Sequence, residues 1–222
     1  MKKILLFSLL AVAILVFAGC SKKAVRTDDA DITSAANVVV GEVLIDAGVY
    51  VADIDKSSVN WMGDEYTGSA QTGTVSLKRS ELEIIDNNIV GGKFVIDMTS
   101  IADDDGSDSL EEHLKGDDFF STVTYPEAVL ELKSARLLKT NHEGLPVFET
   151  VGDLTIRDIT KEITFESVIN ALRGELTAYT HLILDRTEWG VEYGSGKFFE
   201  DLKDQVIKDE MVFDIMIEAD IQ

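Results

Sequence analysis

Cysteine, proline and histidine are scarce in this 222-residue sequence, which has one cysteine, two prolines and three histidines. The single cysteine, Cys20, excludes a disulfide within the chain. The two prolines exclude a proline-rich spacer. The histidines, His113, His142 and His181, lie far apart, and no two have the spacing of metal ligands. The composition therefore argues against a zinc or iron site.

Positive charge is also scarce. Lysine and arginine total 20 residues against 41 acidic residues, which gives a formal net charge of −21. Such a surface repels nucleic acid and anionic lipid headgroups. The apolar fraction of 45% is high enough for a buried core, so the acidic composition does not indicate disorder.

Motifs of catalysis are missing as well. Gly194-Ser195-Gly196 lacks the spacing of a nucleophile elbow, and the sequence has no phosphate-binding glycine loop. The acidic run 103–108 fails as a calcium loop because its twelfth position, counted from Asp103, is Leu114 rather than glutamate. We therefore predict no catalytic or metal-binding residues, and a binding protein is favoured over an enzyme.

The N-terminus has the pattern of an export signal. Met1-Lys2-Lys3 is basic, and Ile4 to Ala18 is apolar except for Ser8. That run is shorter than the ~20 residues of a membrane span, and its position and charge fit a signal peptide. Small residues before Cys20 resemble the lipobox of bacterial lipoproteins, in which the cysteine carries diacylglycerol and an amide-linked fatty acid such as palmitate. The alternative is a plain secreted protein with an incidental cysteine.

Three regions follow from these patterns. They are a lipoprotein signal peptide at 1–19, a lipidated cysteine and flexible tether at 20–48, and a β-rich domain at 49–222. A strand over Val38–Ile45 is also predicted. Ser21, rather than aspartate, after Cys20 favours the outer membrane facing the periplasm by the sorting logic of other Gram-negative bacteria, and surface exposure stays open.

The domain reads as about eight strands joined by short turns. Alternation of apolar and polar residues is clear in Val90–Met98, where Phe94, Ile96 and Met98 share one face. Eight antiparallel strands can close into a barrel that holds one small ligand. Periodicity does not separate this barrel from a two-sheet sandwich.

One segment, Ser109 to Pro126, breaks the strand pattern. Leu110 and Leu114 share a helical face, and Ser109 with Glu112 has the spacing of a capping box. A short helix that ends at Gly116 is predicted, followed by an apolar pair, Phe119-Phe120. A second short helix is predicted over Phe198–Leu202.

Apolar residues on one face of the predicted strands are candidates for a ligand channel. If they converge, the barrel interior is hydrophobic. The alternative is that they fill a solid core, and that the protein is a non-catalytic envelope interaction module with an acidic protein-binding face. The residues are Val59, Trp61, Phe94, Ile96, Leu130, Phe165, Ile183, Phe213 and Ile215.

Several segments together resemble the bacterial YceI-like family of secreted polyisoprenoid-binding proteins, and in particular lipoprotein members from the Bacteroidetes lineage. The segments include Ser57–Trp61, Asp97–Ile101, His113-Leu114-Lys115 with Asp118-Phe119-Phe120, Gly152–Arg157 and Asp185–Gly190. The resemblance covers the chain from about Tyr50 onward.

The resemblance implies an all-β fold, namely an eight-stranded antiparallel lipocalin-like barrel with one or two short helices in connecting loops. It also implies a hydrophobic channel for an isoprenoid, quinone tail or other fatty amphiphile, in a family whose members are not established as catalysts. No other cofactor is implied, and the sequence is compatible with a homodimer.

The resemblance adds four residues to the channel candidates. Phe119 and Phe120 would plug or line it, Trp189 would lie beside it, and Arg186 would either orient a polar headgroup or form a salt bridge with one of the many acids. Gln71 stands where many members have a histidine, which bears on headgroup preference.

Overall fold

The computed structural model describes residues 45–64, 68, 70–199 and 206–222. The predicted signal peptide, Cys20 and nearly all of the predicted tether and Val38–Ile45 strand lie outside these residues. The described elements are β1 (Gly48–Ala52), β2 (Ser58–Gly63), β3 (Gln71–Ile85), β4 (Asn88–Asp103), α1 (Asp108–Lys115), β5 (Glu127–Thr140), β6 (Pro146–Ile156), β7 (Ile159–Leu172), β8 (Glu175–Asp185), a 3₁₀ turn η1 (Arg186–Trp189) and β9 (Glu210–Ile221).

The strands form one closed antiparallel barrel. Each strand from β3 to β9 pairs with the next along the chain, and the ring closes because β1 and β2 both lie between β3 and β9. β1 pairs with Glu81–Ile84 of β3, whereas β2 pairs with Gln71–Val75 of the same strand. β1 and β2 therefore occupy one position in the ring, and the predicted eight-stranded barrel is confirmed.

The connections divide the barrel into two ends. Tight turns at 86–87, 141–145 and 173–174 lie at the hairpin end, where Asp86, Asn87, Arg173 and Gly174 adopt the left-handed conformation that such turns require. α1 and the segment after β8 lie at the opposite, helix end. Ile45 enters at the hairpin end, where its backbone N–H donates to Asn87 Oδ1 at 2.8 Å.

α1 is present as predicted, but its N-cap is not. Ser107, not Ser109, is the capping residue, and its side chain accepts from the Leu110 N–H. Ser109 already lies inside the helix. The side chain of Asp103 accepts from the Ser107 N–H at 2.9 Å, and this bond holds Ser107 at the start of the helix. The helix ends at Lys115, as the predicted stop at Gly116 requires.

The second predicted helix is partly described. Phe198 and Phe199 are not helical, and the rest of Phe198–Leu202 lies outside the described residues. None of the described helices is both long enough and apolar enough to cross a membrane.

Candidate functional site

The barrel encloses an apolar cavity of about 160 Å³. Its lining runs through much of the barrel, from Tyr50 and Leu176 near the hairpin end to Leu114, Phe120 and Met211 at the helix end. On β8 alone the lining extends from Leu176 to Leu184, which is about 26 Å of strand, or about 20 Å along the axis of a barrel with the usual tilt. The cavity is therefore a narrow channel, because its small volume is spread over this length.

The cavity decides between the two interpretations of the apolar residues. A solid core would leave no such space, since native interiors contain few voids larger than a water molecule. The volume is close to that of an engineered apolar cavity of ~150 Å³ that remains dry and binds benzene. The interior of this barrel therefore holds space that an apolar guest could fill.

Most predicted channel residues line this cavity. The structure brings nine of the thirteen together around it: eight lie on strands that turn the same face inward, and Phe120 lies in the segment after α1. These nine are Val59, Trp61, Phe94, Ile96, Phe120, Leu130, Phe165, Phe213 and Ile215.

Ile183 does not lie with them, and its prediction as a lining residue is wrong. Its side chain is on the outer face and 53% exposed, whereas its neighbours Leu182 and Leu184 line the cavity. The apolar run 182–184 hides the alternation of β8, in which Ile183 shares the outer face with Thr177 and His181. The pairing of Ile183 with Val212, on the outer face of β9, agrees with this phase.

Phe119 and Phe120 have separate positions. Phe120 faces the cavity. Phe119 is buried beside it, with ring centroids 5.3 Å from His113 and 6.1 Å from Tyr193. Phe119 therefore anchors α1 to the segment that follows β8, and Phe120 forms part of the cavity wall.

Arg186 is buried in the loop that it begins. Its guanidinium donates to the carbonyl oxygens of Lys208 at 3.1 Å, Val191 at 2.6 Å and Ile207 at 3.3 Å. It lies 3.7 Å from Asp209 and over the Phe119 ring. Burial lowers the pKa of Arg186, and the nearby carboxylates oppose this shift. The salt-bridge alternative thus matches the geometry, and the headgroup alternative does not.

Trp189 also serves the loop rather than the channel. It is 2% exposed, and its indole N–H donates to the Leu154 carbonyl at 3.1 Å. Arg157 reaches the same loop by donating to the Gly190 carbonyl at 2.8 Å. Arg186 and Trp189 border a separate pocket of only about 10 Å³, which is hardly the size of a water site.

A model of the YceI-like domain matches residues 50–219. The chain belongs to the YceI-like family. No curated protein matches this YceI-like chain significantly.

Solved structures share the YceI-like fold. BcnA of Burkholderia cenocepacia is 20% identical, with a TM-score of 0.59, over 76% of this chain and 99% of that protein. A polyisoprenoid binding domain from Saccharophagus degradans, implicated in plant cell wall breakdown, is 15% identical, with a TM-score of 0.60, over 80% of this chain and 100% of that domain. The YceI protein of Campylobacter jejuni is 15% identical, with a TM-score of 0.50, over 64% and 80%.

Four polar side chains in the wall of this YceI-like cavity were missed by sequence reasoning. Thr150 and Ser167 form a hydrogen bond with each other at 2.6 Å. Ser80 and Thr180 also line the cavity, and in the described part of the chain neither hydroxyl has a hydrogen-bond partner. All four lie at inward positions of their strands, where the alternation leads one to expect an apolar residue. A polar residue at such a position is the signal that could have found them.

The charged groups of the YceI-like domain lie outside the cavity. Asp185 caps η1 by accepting from the Thr187 N–H, and it pairs with Lys197 at 2.6 Å. Burial alone would raise the pKa of Asp185, but the bonds from Lys197 and Thr187 outweigh burial and hold the pKa below its ordinary value. Gln71 begins β3 opposite Gly63 and does not line the cavity. Among the described residues no cluster of three histidine or acidic side chains has the geometry of a metal site.

Proposed function

We propose that this protein is a lipid-anchored protein of the bacterial cell envelope that binds a polyisoprenoid, or another long apolar amphiphile such as a quinone, inside its barrel. The observation that carries the proposal is the shape and lining of the cavity. It is long, narrow and almost wholly apolar, so it fits an extended chain better than a bulky or charged molecule. The proposed role is non-catalytic.

The driving force for such binding is burial of the chain. Each CH₂ group removed from water contributes about 0.8 kcal/mol, so one five-carbon isoprene unit contributes about 4 kcal/mol before the entropy of immobilisation is subtracted. Several units in a dry channel are enough for tight binding. The protein does not need a strong headgroup contact.

Selectivity would rest on few polar groups. The hydroxyls of Ser80 and Thr180 line the cavity without a partner among the described residues and could accept or donate one hydrogen bond each. With so few polar groups, we expect weak headgroup discrimination and a strong dependence of affinity on chain length. The polyisoprenoid binding domain from Saccharophagus degradans, which shares this fold, supports an isoprenoid guest.

The anchor and location are proposed from the sequence. The lipobox-like segment before Cys20 supports a diacylglycerol on that cysteine, and the net charge of −21 keeps the domain away from anionic lipid headgroups. The attached lipid would hold the protein at the outer membrane, facing the periplasm.

Native mass spectrometry tests the ligand directly. The Cys20→Ala protein, produced in a bacterial envelope, should carry an apolar molecule that organic extraction releases, and the emptied protein should take up geranylgeraniol or a short-chain ubiquinone at one molecule per chain. A clean unliganded mass with no uptake of either probe would contradict the proposal.

A matched pair of variants places the ligand inside the barrel. Ala178 lines the cavity, whereas its neighbour Thr177 points outward on the same strand. Ala178→Phe should fill the channel and weaken binding at least tenfold, whereas Thr177→Phe should bind as the unmodified protein does. Equal affinities in the two variants would place the ligand elsewhere.

A further inference from the structure

The barrel has an open seam between β7 and β8. These strands pair only from Val168↔Tyr179 to Leu172↔Glu175, near the hairpin end. Beyond that point β7 continues to Ile159 with a partner only on its β6 side, and β8 continues to Asp185 with a partner only on its β9 side. Among the described residues no ladder joins 159–167 of β7 to 180–185 of β8. These two facing stretches are called the seam.

The seam differs from the interruption between β4 and β5. β4 leaves β5 after Asp97↔Glu127, but there α1 packs against β4, and Leu114, Phe119 and Phe120 pack with Met98 and Ile101. In the part of the chain that the structure describes, no α-helix packs over the seam. Toward the helix end η1 closes the seam, where Trp189 packs with Leu154 and Leu184, and Lys161 pairs with Glu188 at 3.9 Å. Ile159, Ile163 and Leu182 pack against this cluster, so the open part lies between it and the β7–β8 ladder.

The inner side of the seam opens on the cavity. Ile163 and Phe165 of β7 and Leu182 of β8 all line the cavity, and all three are partly exposed. An apolar chain that lay between the two strands would therefore contact the channel wall along its length.

The two lips of the seam differ in polarity. On β8 the outward residues of the seam include His181, which pairs with Asp214 at 2.8 Å, and Ile183, which is 53% exposed. Ile183 therefore carries the apolar surface outward from its neighbour Leu182. On β7 the outward residues are Glu162, Thr164 and Glu166, and the two acids are neutralised by Lys133 at 2.9 Å and Lys139 at 3.0 Å. Charged residues on an exposed strand edge also discourage pairing with another chain.

Both ends of the barrel are blocked by buried side chains. Ile45, Tyr50 and Ile84 pack at the hairpin end, and Leu114, Phe119 and Val191 pack at the helix end. Passage through either end would have to displace packed residues. Passage through the seam breaks no ladder.

We propose that the seam is the portal through which an apolar chain passes sideways into and out of the barrel. This inference rests on the proposed function. The guest is a long hydrocarbon or prenyl chain with a small, uncharged head, which moves over Ile183 and passes between β7 and β8 into the lumen.

Cross-linking across the seam tests the portal. If the β7–β8 register continued, Thr164 would face Ile183, and both side chains are exposed. In the Cys20→Ala background, Thr164→Cys with Ile183→Cys can be bridged by a short bis-maleimide. The matched control is Arg136→Cys with Glu149→Cys, an exposed pair on the intact β5–β6 ladder. The probe is a ubiquinone with a four-unit tail, whose uptake and release are followed by quenching of tryptophan fluorescence, since Trp61 lines the cavity.

We expect the seam bridge to slow both processes. Protein bridged before loading should take up the quinone at least tenfold more slowly than the unbridged protein, and protein bridged after loading should release it at least tenfold more slowly. The control bridge should change neither rate by more than twofold. Unchanged rates with the seam bridged would overturn the portal and leave the proposed function intact. Absence of quinone uptake by the unbridged protein would overturn both.

A pair of single substitutions keeps the test independent of the cross-link. Ile183 and Met62 both point outward, and both pair with Val212, which lies on the strand between them. Only Ile183 borders the seam. Ile183→Lys should lower the uptake rate at least threefold, because the apolar chain must pass a charge, whereas Met62→Lys should leave it unchanged. Equal rates in the two variants would overturn the portal.

Discussion

The indole ring of Trp61 lies against Gly73 on the neighbouring strand. An added Cβ at Gly73 would lie 2.4 Å from the ring and 2.0 Å from the Ala102 carbonyl oxygen. The indole N–H donates to the Thr74 carbonyl at 3.2 Å, which fixes the ring in this position. Glycine is thus required at residue 73 for space, and one wall of the cavity depends on it.

Gly73→Ala should therefore destabilise the protein. We expect a loss of about 3 kcal/mol, at the upper part of the usual range for overpacking, which corresponds to a melting temperature lower by about 6–12 °C for a domain of this size. Thermal unfolding followed by circular dichroism measures it.

Gly63→Ala is the matched control for this substitution. It lies on β2, like Trp61, and an added Cβ there meets no atom within 4 Å. Its melting temperature should stay within about 2 °C of the unmodified protein. A similar loss in both variants would contradict the steric explanation.

At single residues, the sequence predicted the inward face wherever apolar and polar residues alternate. Val59 and Trp61 alternate with polar or exposed neighbours, and both line the cavity. The prediction was wrong at Ile183, because the apolar run 182–184 masks an alternation in which Ile183 shares the outer face with Thr177 and His181. Arg186 could not be assigned either, because its three carbonyl partners belong to Val191, Ile207 and Lys208, which the fold brings together.

At the scale of the elements, α1 links the end of β4 to the wall of the cavity. Its Glu111 accepts from the Asp103 backbone N–H at 3.1 Å and pairs with Lys115 at 3.2 Å. The bond from Asp103, followed by the bond from Lys115, lowers the pKa of Glu111. The helix is thereby tied to the end of β4, and its buried Leu114 reaches the cavity.

The position of the helix cap gives a prediction at this scale. Ser107→Ala removes the capping oxygen and should cost about 1 kcal/mol. Ser109→Ala changes an exposed residue within the first turn and should be neutral or stabilising by a few tenths of a kcal/mol. The midpoints of urea unfolding compare the two variants. A greater loss of stability from Ser109→Ala would show that Ser109, which the sequence pattern indicates, is the capping residue.

The elements themselves were largely predictable because turn residues and alternation are local signals. Asp86-Asn87 and Arg173-Gly174, for example, are typical turn sequences, and both form turns between strands in the structure. The division of one barrel position into β1 and β2 was not predictable, since each piece is short and is stabilised by β3 and β9 rather than by its own sequence. The open seam was equally hidden, because Ile163 and Phe165 of β7 alternate with polar residues as they would in a fully paired strand.

For the whole molecule, an interior that is not filled implies that stability depends on the guest. Under the proposed function, a ligand present at 100 times its dissociation constant stabilises the native state by about 2.7 kcal/mol. Removal of the lipid by organic extraction should then lower the melting temperature by about 5–11 °C, and addition of geranylgeraniol should restore it.

The Ala178→Phe variant serves as the control for this effect. Its melting temperature should not respond to extraction or to geranylgeraniol, because its channel is occupied by the new ring. An equal response in both proteins would show that the lipid stabilises them by adsorption to the surface.

The strand pairs that close the barrel determine when its interior forms during folding. Every pairing from β3 to β9 joins neighbours along the chain, whereas β1 and β2 pair with β9, the last strand of the sequence. Hairpins form in microseconds, but contacts between distant segments are slow because a long loop must first be closed. A newly made chain would therefore hold its apolar interior open to water, and to other chains, until the twelve-residue strand β9 pairs. The lumen therefore forms only when β9 pairs with β1 and β2.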